Sequence, residues 1–166
     1  KIWSSGNDIG IILSENSSSY DTGTLGIDIG KFRGNYFHGF LETINDTQRY
    51  ITGRGIEWTN NKSMVIGLSE TVIYSGLNRP MDIGYLNPIS SHLEIELNNR
   101  LNIYGDRNSN AVWQVHADWL IRDHVRLSGN YLYDEFVIDP EIQIGKEHGK
   151  AYSARVAYTP ICSDKS

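Results

Sequence analysis

The chain has 166 residues with 15 Lys+Arg against 20 Asp+Glu, a net charge of −5, which argues against a nucleic-acid partner, since phosphates call for clustered cations. With 10 Tyr, 16 Gly and only 4 Pro, the composition suits short strands and turns rather than helices. The one cysteine, Cys162, excludes an internal disulfide framework or a Cys-rich zinc module, and apolar runs such as Ile11-Ile12-Leu13 fall far short of the roughly 18 residues of a membrane helix.

The chain opens at Lys1 without methionine or a leader, so a mature form or a fragment is expected. Ser14 to Thr22 reads as a polar loop. Leu25, Ile27 and Ile29 then alternate with Gly26, Asp28 and Gly30, and Phe32 to Thr43 places Phe32, Tyr36, His38 and Phe40 on one side. Tyr50 to Trp58 and Met64 to Tyr74 flank the turn Asn60-Asn61-Lys62, which predicts a hairpin. In the second of these strands Glu70 shares a face with Met64, Ile66 and Leu68, so its inward face is not assigned.

Asn87-Pro88 and the following residues read as a helix start, with Ser91 and Glu94 at capping-box spacing. Ile89, Leu93 and Leu97 then share a face, predicting one short helix near 88–98. Ala111 to Ile121 holds a period of two throughout, with Trp113 and Trp119 on the apolar face and Gln114, His116 and Asp118 on the other. Arg122-Asp123-His124 turns the chain into Val125 to Asp134, where Leu127, Tyr131 and Tyr133 oppose Arg126, Ser128 and Asn130. Tyr152, Val156 and Tyr158 in Ala151 to Thr159 repeat the pattern.

Such strands fit a soluble sandwich with the apolar face inward, or an outer-membrane barrel with that face toward lipid and a polar lumen. The membrane setting assigns Trp113, Trp119, Tyr131, Tyr133, Tyr152 and Tyr158 to a lipid-facing girdle. It assigns Gln114, His116, Asp118, Arg126 and Asn130 to the lumen, with Asp118 and Arg126 paired across the hairpin. The six residues from Trp113 to Trp119 span roughly 20 Å of strand, or roughly 15 Å of depth at a tilt of about 40°, somewhat less than the ~25 Å apolar band.

The stretch Gly67-Leu68-Ser69-Glu70-Thr71-Val72-Ile73-Tyr74, then Asn78-Arg79, Tyr85-Leu86-Asn87-Pro88, His92 and Glu94, resembles the bacterial capsule-assembly Wzi family. The resemblance continues through Ala117-Asp118-Trp119 and Tyr133-Asp134-Glu135-Phe136 and covers about residues 50–140. Its motif positions are Glu70, Tyr74, Tyr85, Asn87, Pro88, Glu94, Asp118 and Asp134. It implies an all-β antiparallel outer-membrane β-barrel at the bacterial cell surface, a non-enzymatic lectin that binds or anchors capsular or extracellular polysaccharide, with outer-membrane lipid as its surroundings. At about 10 residues per strand the chain supplies about 8–10 of the roughly 18 strands implied. Residues 1–166 are therefore expected to form a single β-barrel segment, incomplete at both ends, and Ile161 to Ser166 lacks the usual closing aromatic strand end.

The acids Glu70, Glu94, Glu96, Asp118, Asp134 and Glu135 could form a glycosidase pair only at a separation that sequence does not give, and no catalytic residue is expected. His92, Glu94, His116 and His124 lack an HExxH-type arrangement, so neither metal nor cofactor is expected. Gly53-Arg54-Gly55 and Gly26…Gly30 lack a phosphate-binding pattern and mark close packing or bends. For sugar, Asn78, Arg79, Tyr85 and Asn87 combine a ring for stacking with planar polar groups, although Tyr-Leu-Asn-Pro could equally be a turn positioning a plug helix. The alternatives are an outer-membrane pore or diffusion channel lined by Arg126, Asp118 and His116, and, third, a soluble β-sandwich sugar-active protein.

Overall fold

The computed structural model describes residues 20–98, 108–141, 143 and 145–160. Among these, seven strands form one antiparallel sheet in chain order: β1 (Asp21–Ile29), β2 (Phe32–Ile44), β3 (Thr47–Thr59), β4 (Met64–Leu77), β5 (Ser109–Arg122), β6 (Val125–Asp134) and β7 (Gly149–Tyr158). Two short helices, α1 (Ile83–Leu86) and α2 (His92–Leu97), lie in the β4–β5 connection. β1 and β7 are the two edges and do not pair with each other among the described residues.

The turns follow local chemistry. Gly30 has φ 61° between β1 and β2, and Asn45 and Asp46, at φ 49° and 60°, close β2–β3 in the left-handed conformation that two-residue hairpins require. In the predicted β3–β4 turn the Asn60 Oδ1 accepts from the backbone N–H groups of Lys62, Ser63 and Met64.

The register resolves the two faces. The row Tyr36, Arg54, Glu70, Trp113, Tyr133 runs across five strands, and the rows below it carry Ile56, Leu68, Val115 and Tyr131, then Trp58 and Ile66. All of these belong to the apolar face. The opposite face carries Glu57, Ser69, His116, Gln114, Asp118, Arg126, Ser128, Asn130 and Ser153. Exposure runs against the rule for soluble sheets. Ile27, Ile56, Leu68, Val115, Trp119 and Tyr131 are exposed, while Ser69, Gln114, His116, Asp118, Ser128 and Asn130 are buried.

Glycines account for part of that shelter. The His116 ring lies over Gly67 and the Phe37 ring over Gly53, so closely that a methyl at either glycine would overlap the ring. His116 Nε2 then meets Glu57 Oε1 at 3.0 Å, and Gln114 Nε2 donates to Asn130 Oδ1, whose Nδ2 donates to Ser153 Oγ.

Several sequence expectations change. β1 begins at Asp21, inside the predicted loop Ser14–Thr22, and residues 14–19 of that loop, Ile11-Ile12-Leu13, Cys162 and the chain's end lie outside the described residues. Ile121 leaves the alternation at a bulge between Leu120 and Arg122. The helix expected near 88–98 is α2, which starts after Ser91, whose hydroxyl accepts from Glu94 N–H, and an unexpected helix, α1, precedes it, capped by Asp82, whose carboxylate accepts from Gly84 N–H. Ile89 precedes α2 and is 88% exposed, so the buried face of α2 is His92, Ile95 and Glu96 rather than Ile89, Leu93 and Leu97.

Candidate functional site

Helices of four and six residues are too short to hold themselves together in water, and here the sheet supplies their missing partners. Tyr36 Oη donates to Tyr85 O at 3.0 Å, Arg54 Nη1 to Asn87 O at 3.0 Å and Tyr50 Oη to Arg79 O at 3.0 Å. In the other direction His92 N–H donates to Glu70 Oε1 at 2.9 Å and Asp82 N–H to Tyr74 Oη at 3.3 Å. All five sheet residues lie on the apolar face, so the connection forms a strap across one end of that face. The other end stays bare. A plug inside the polar face is not what these helices form.

Under the strap the rings of Tyr50, Tyr74, Tyr85 and His92 stack in sequence, with centroids 5.0, 4.4 and 5.9 Å apart. Trp113 follows at 6.4 Å from His92, and Phe136 meets Trp113 edge-on at 4.5 Å. Burial pushes the Tyr85 hydroxyl well above its ordinary pKa, so it stays a protonated donor at 2.9 Å from His92 Nδ1. That arrangement favours the His92 tautomer with its proton on Nε2.

His92 Nε2 faces two buried acids, Glu96 Oε2 at 3.8 Å and Glu135 Oε1 at 3.7 Å. Lys146 Nζ bridges the same two carboxylates, lying 3.2 Å from Glu135 Oε1 and against Glu96 Oε1. Gln143 Nε2 donates to Glu96 Oε2 at 2.6 Å, while its Oε1 accepts from Ile138 and Asp139 N–H. Burial alone would raise the Glu135 pKa, but His92, the Ala111 N–H and Lys146 hold it below the ordinary value. The three groups His92, Glu96 and Glu135 have metal-ligand character. The Lys146 ammonium, however, already supplies a cation between the acids, and this fits a charge-compensated lock on the strap.

The predicted sites divide accordingly. Of the expected sugar-binding residues, Arg79 and Tyr85 are enclosed. Arg79 pairs with Asp82 at 2.9 Å and lies over the Tyr74 ring, and Tyr85 has Tyr74 on one face and His92 on the other. A sugar could stack on neither. Asn78 and Asn87 are exposed, although the Asn87 side chain is engaged with Ser90 Oγ and Ile89 N–H. Gln114, His116, Asp118, Arg126 and Asn130 do share the polar face, and Arg126 grips Asp118 with Nε–Oδ1 2.6 Å and Nη2–Oδ2 2.5 Å. Within the girdle set, Trp119, Tyr131, Tyr152 and Tyr158 are exposed on the apolar face. Trp113 and Tyr133 share that face but are half-buried, and Tyr133 stacks on Phe136 at 4.3 Å with its hydroxyl on His148 Nδ1.

The family-motif positions split the same way: Glu70, Tyr74 and Tyr85 hold the strap, while Glu94 is exposed in the first turn of α2. Pro88 is exposed at the strap's edge, and Asp134 accepts from Asn110 Nδ2. The metal set considered from sequence, His92, Glu94, His116 and His124, does not assemble. Instead His92 meets Glu96, four residues on along α2, and Glu135, which no sequence spacing brings to them. Arg54, Gln143 and Lys146 were missed, and among them Arg54 alone left a signal, a charge on the same strand parity as Tyr50, Ile56 and Trp58.

No family model, curated protein or solved structure matches the chain.

Proposed function

We propose that this sheet is part of the wall of a bacterial outer-membrane β-barrel that holds surface polysaccharide without acting on it chemically. The observation that carries the membrane reading is the inverted polarity: apolar side chains exposed along one face, and polar and charged side chains buried along the other. In water the bare apolar half would be a liability, whereas in lipid it is the required surface. The connections support this reading. The turns at Gly30-Lys31, Asn60–Ser63 and Asp123-His124 are tight and share one end of the sheet, and the two long connections, 78–108 and 135–148, lie at the other. The tight turn Asn45-Asp46 also lies at that second end, so one rim carries only short turns and the other carries both long connections, as is usual for such barrels. Among the described residues no helix is long and apolar enough to cross a membrane, so strands would do the crossing.

Polysaccharide holding rests on the resemblance to the Wzi family, with Asn78 and Asn87 as the motif groups open to a sugar. The test is expression with a signal peptide, followed by fractionation, heat-modifiable gel migration and a glycan array on the folded protein. Outer-membrane location with binding to a surface glycan is the expected result. A folded, water-soluble chain would overturn the membrane reading, and a membrane-inserted chain blind to every capsule glycan would overturn the lectin reading. One observation favours a pore instead: both helices lie on the apolar face, so no described element fills the polar one. Single-channel conductance in planar bilayers separates the two, since a lectin barrel with a blocked lumen stays silent.

A further inference from the structure

A groove of about 840 Å³ runs along the apolar face from its bare half up to the strap. Leu25 and Ile27 of β1, Ile56 of β3 and Leu68 of β4 line it, with Ile89 from the strap at its rim. Gly34 stands in register between Ile27 and Ile56, and its missing side chain keeps the trough open. At the groove's upper end is Arg54, 9% exposed. Its Nη1 donates to Asn87 O, and its Nε lies 3.0 Å from Glu70 Oε2 in an ion pair without a hydrogen bond. Nε and Nη2 are both buried without a hydrogen-bond partner, an arrangement that costs free energy unless an acceptor arrives.

We propose that this groove binds one anionic lipid, its acyl chain along the Leu25–Leu68 trough and a headgroup phosphate oxygen on Arg54 Nη2. The site rests on the membrane reading above and goes beyond it. Arg54 stands where the bare belt ends and the polar strap begins, the level at which a bilayer presents its phosphates. A guanidinium is the side chain best matched to a phosphate oxygen. An apolar trough with one buried donor at its end also has the general form of a lipid site. Glu70 also lines the groove and is paired with Arg54 through Nε, so the phosphate oxygen is assigned to Nη2.

The experiment is native mass spectrometry of the full chain extracted from outer-membrane fractions and exchanged into phosphatidylglycerol or, separately, into dioleoylglycerol, which has acyl chains and no phosphate. The expected result is one retained phosphatidylglycerol per chain, with retention of dioleoylglycerol lower by about tenfold or more, a difference of about 1.4 kcal/mol. Arg54→Gln should lower phosphatidylglycerol retention to a similar degree. Because that change leaves Glu70 unpaired and could unfold the chain, Gly34→Leu serves as a second variant that fills the trough without touching the ion pair, and it too should lose the lipid. A chain that reaches the outer membrane yet retains no phosphatidylglycerol, or retains both lipids equally, overturns the groove and leaves the membrane reading standing. A folded chain absent from the membrane overturns both.

Discussion

Arg54 Nε stands 3.0 Å from Glu70 Oε2 on neighbouring strands, at the level where the strap stops and the bare apolar belt begins. The pair occupies apolar-face positions, and it is tolerated there because the strap covers it and uses both partners. Arg54 holds the Asn87 carbonyl, and Glu70 receives the His92 N–H.

Glu70→Ala should therefore be costly, since it leaves a buried guanidinium without its counter-ion and α2 without a backbone acceptor. The expected loss is about 3–5 kcal/mol, the range for breaking one side of a buried pair, read from denaturant midpoints. The double change Arg54→Met with Glu70→Met should recover most of it. A single Glu70→Ala within about 0.5 kcal/mol of the parent, the usual range for surface changes, would contradict the role given to the pair.

The glycine beneath His116 gives a steric prediction. Gly67→Ala should destabilise by about 1–3 kcal/mol through overpacking, because the new methyl lands on the imidazole. Adding His116→Ala removes the obstacle. The double variant should then be less sensitive to the methyl than the parent, and a double-mutant cycle reads that coupling.

Asp118 and Arg126 make a bidentate pair, but the Arg126 side chain is 44% exposed, so solvent screens it. A double-mutant cycle should give a coupling of only about 0.2–1 kcal/mol, well below that of Arg54 and Glu70. Equal couplings at the two sites would mean that burial is not what separates them.

Glu135 sets an acid limb. Its folded-state pKa is depressed below the ordinary 4.5, so the stability it contributes is present above the unfolded value and is lost as pH falls through the lower folded value. Unfolding midpoints should be flat in this contribution near neutrality and fall below about pH 4.5. Glu135→Gln should be less stable at neutral pH and show a shallower acid decline. His92, Glu96 and Lys146 face the same carboxylate, and the titration should be repeated with Lys146→Met to separate their part.

Val115 lies in the bare half of the apolar face, in register with Leu68 and Tyr131. If that face meets lipid, Val115→Arg should cost about 2–4 kcal/mol of folding in bilayers, the range for a cation near the midplane of a barrel wall. Ser153→Arg on the polar face should be tolerated. Heat-modifiable migration after folding into vesicles measures both.

The strands and the composition of their faces are legible in the amino-acid order, because a period of two is a local property that needs no partner. β5, β6 and β7 stand nearly where the alternation places them, and the turns at Asn60 and His124 follow from residues that favour them. Tertiary structure alone decided which face is covered, because that depends on where residues 78–98 fold back. Glu70 was unreadable in its own strand. It acquires a reason only when the β3–β4 register sets it opposite Arg54 and the strap lowers His92 onto it. The cluster of His92, Glu96, Glu135 and Lys146 joins α2 to the β6–β7 connection, and no sequence spacing encodes such a meeting. Tyr85 was assigned to sugar for a ring that could stack, yet packing gave both its faces to Tyr74 and His92.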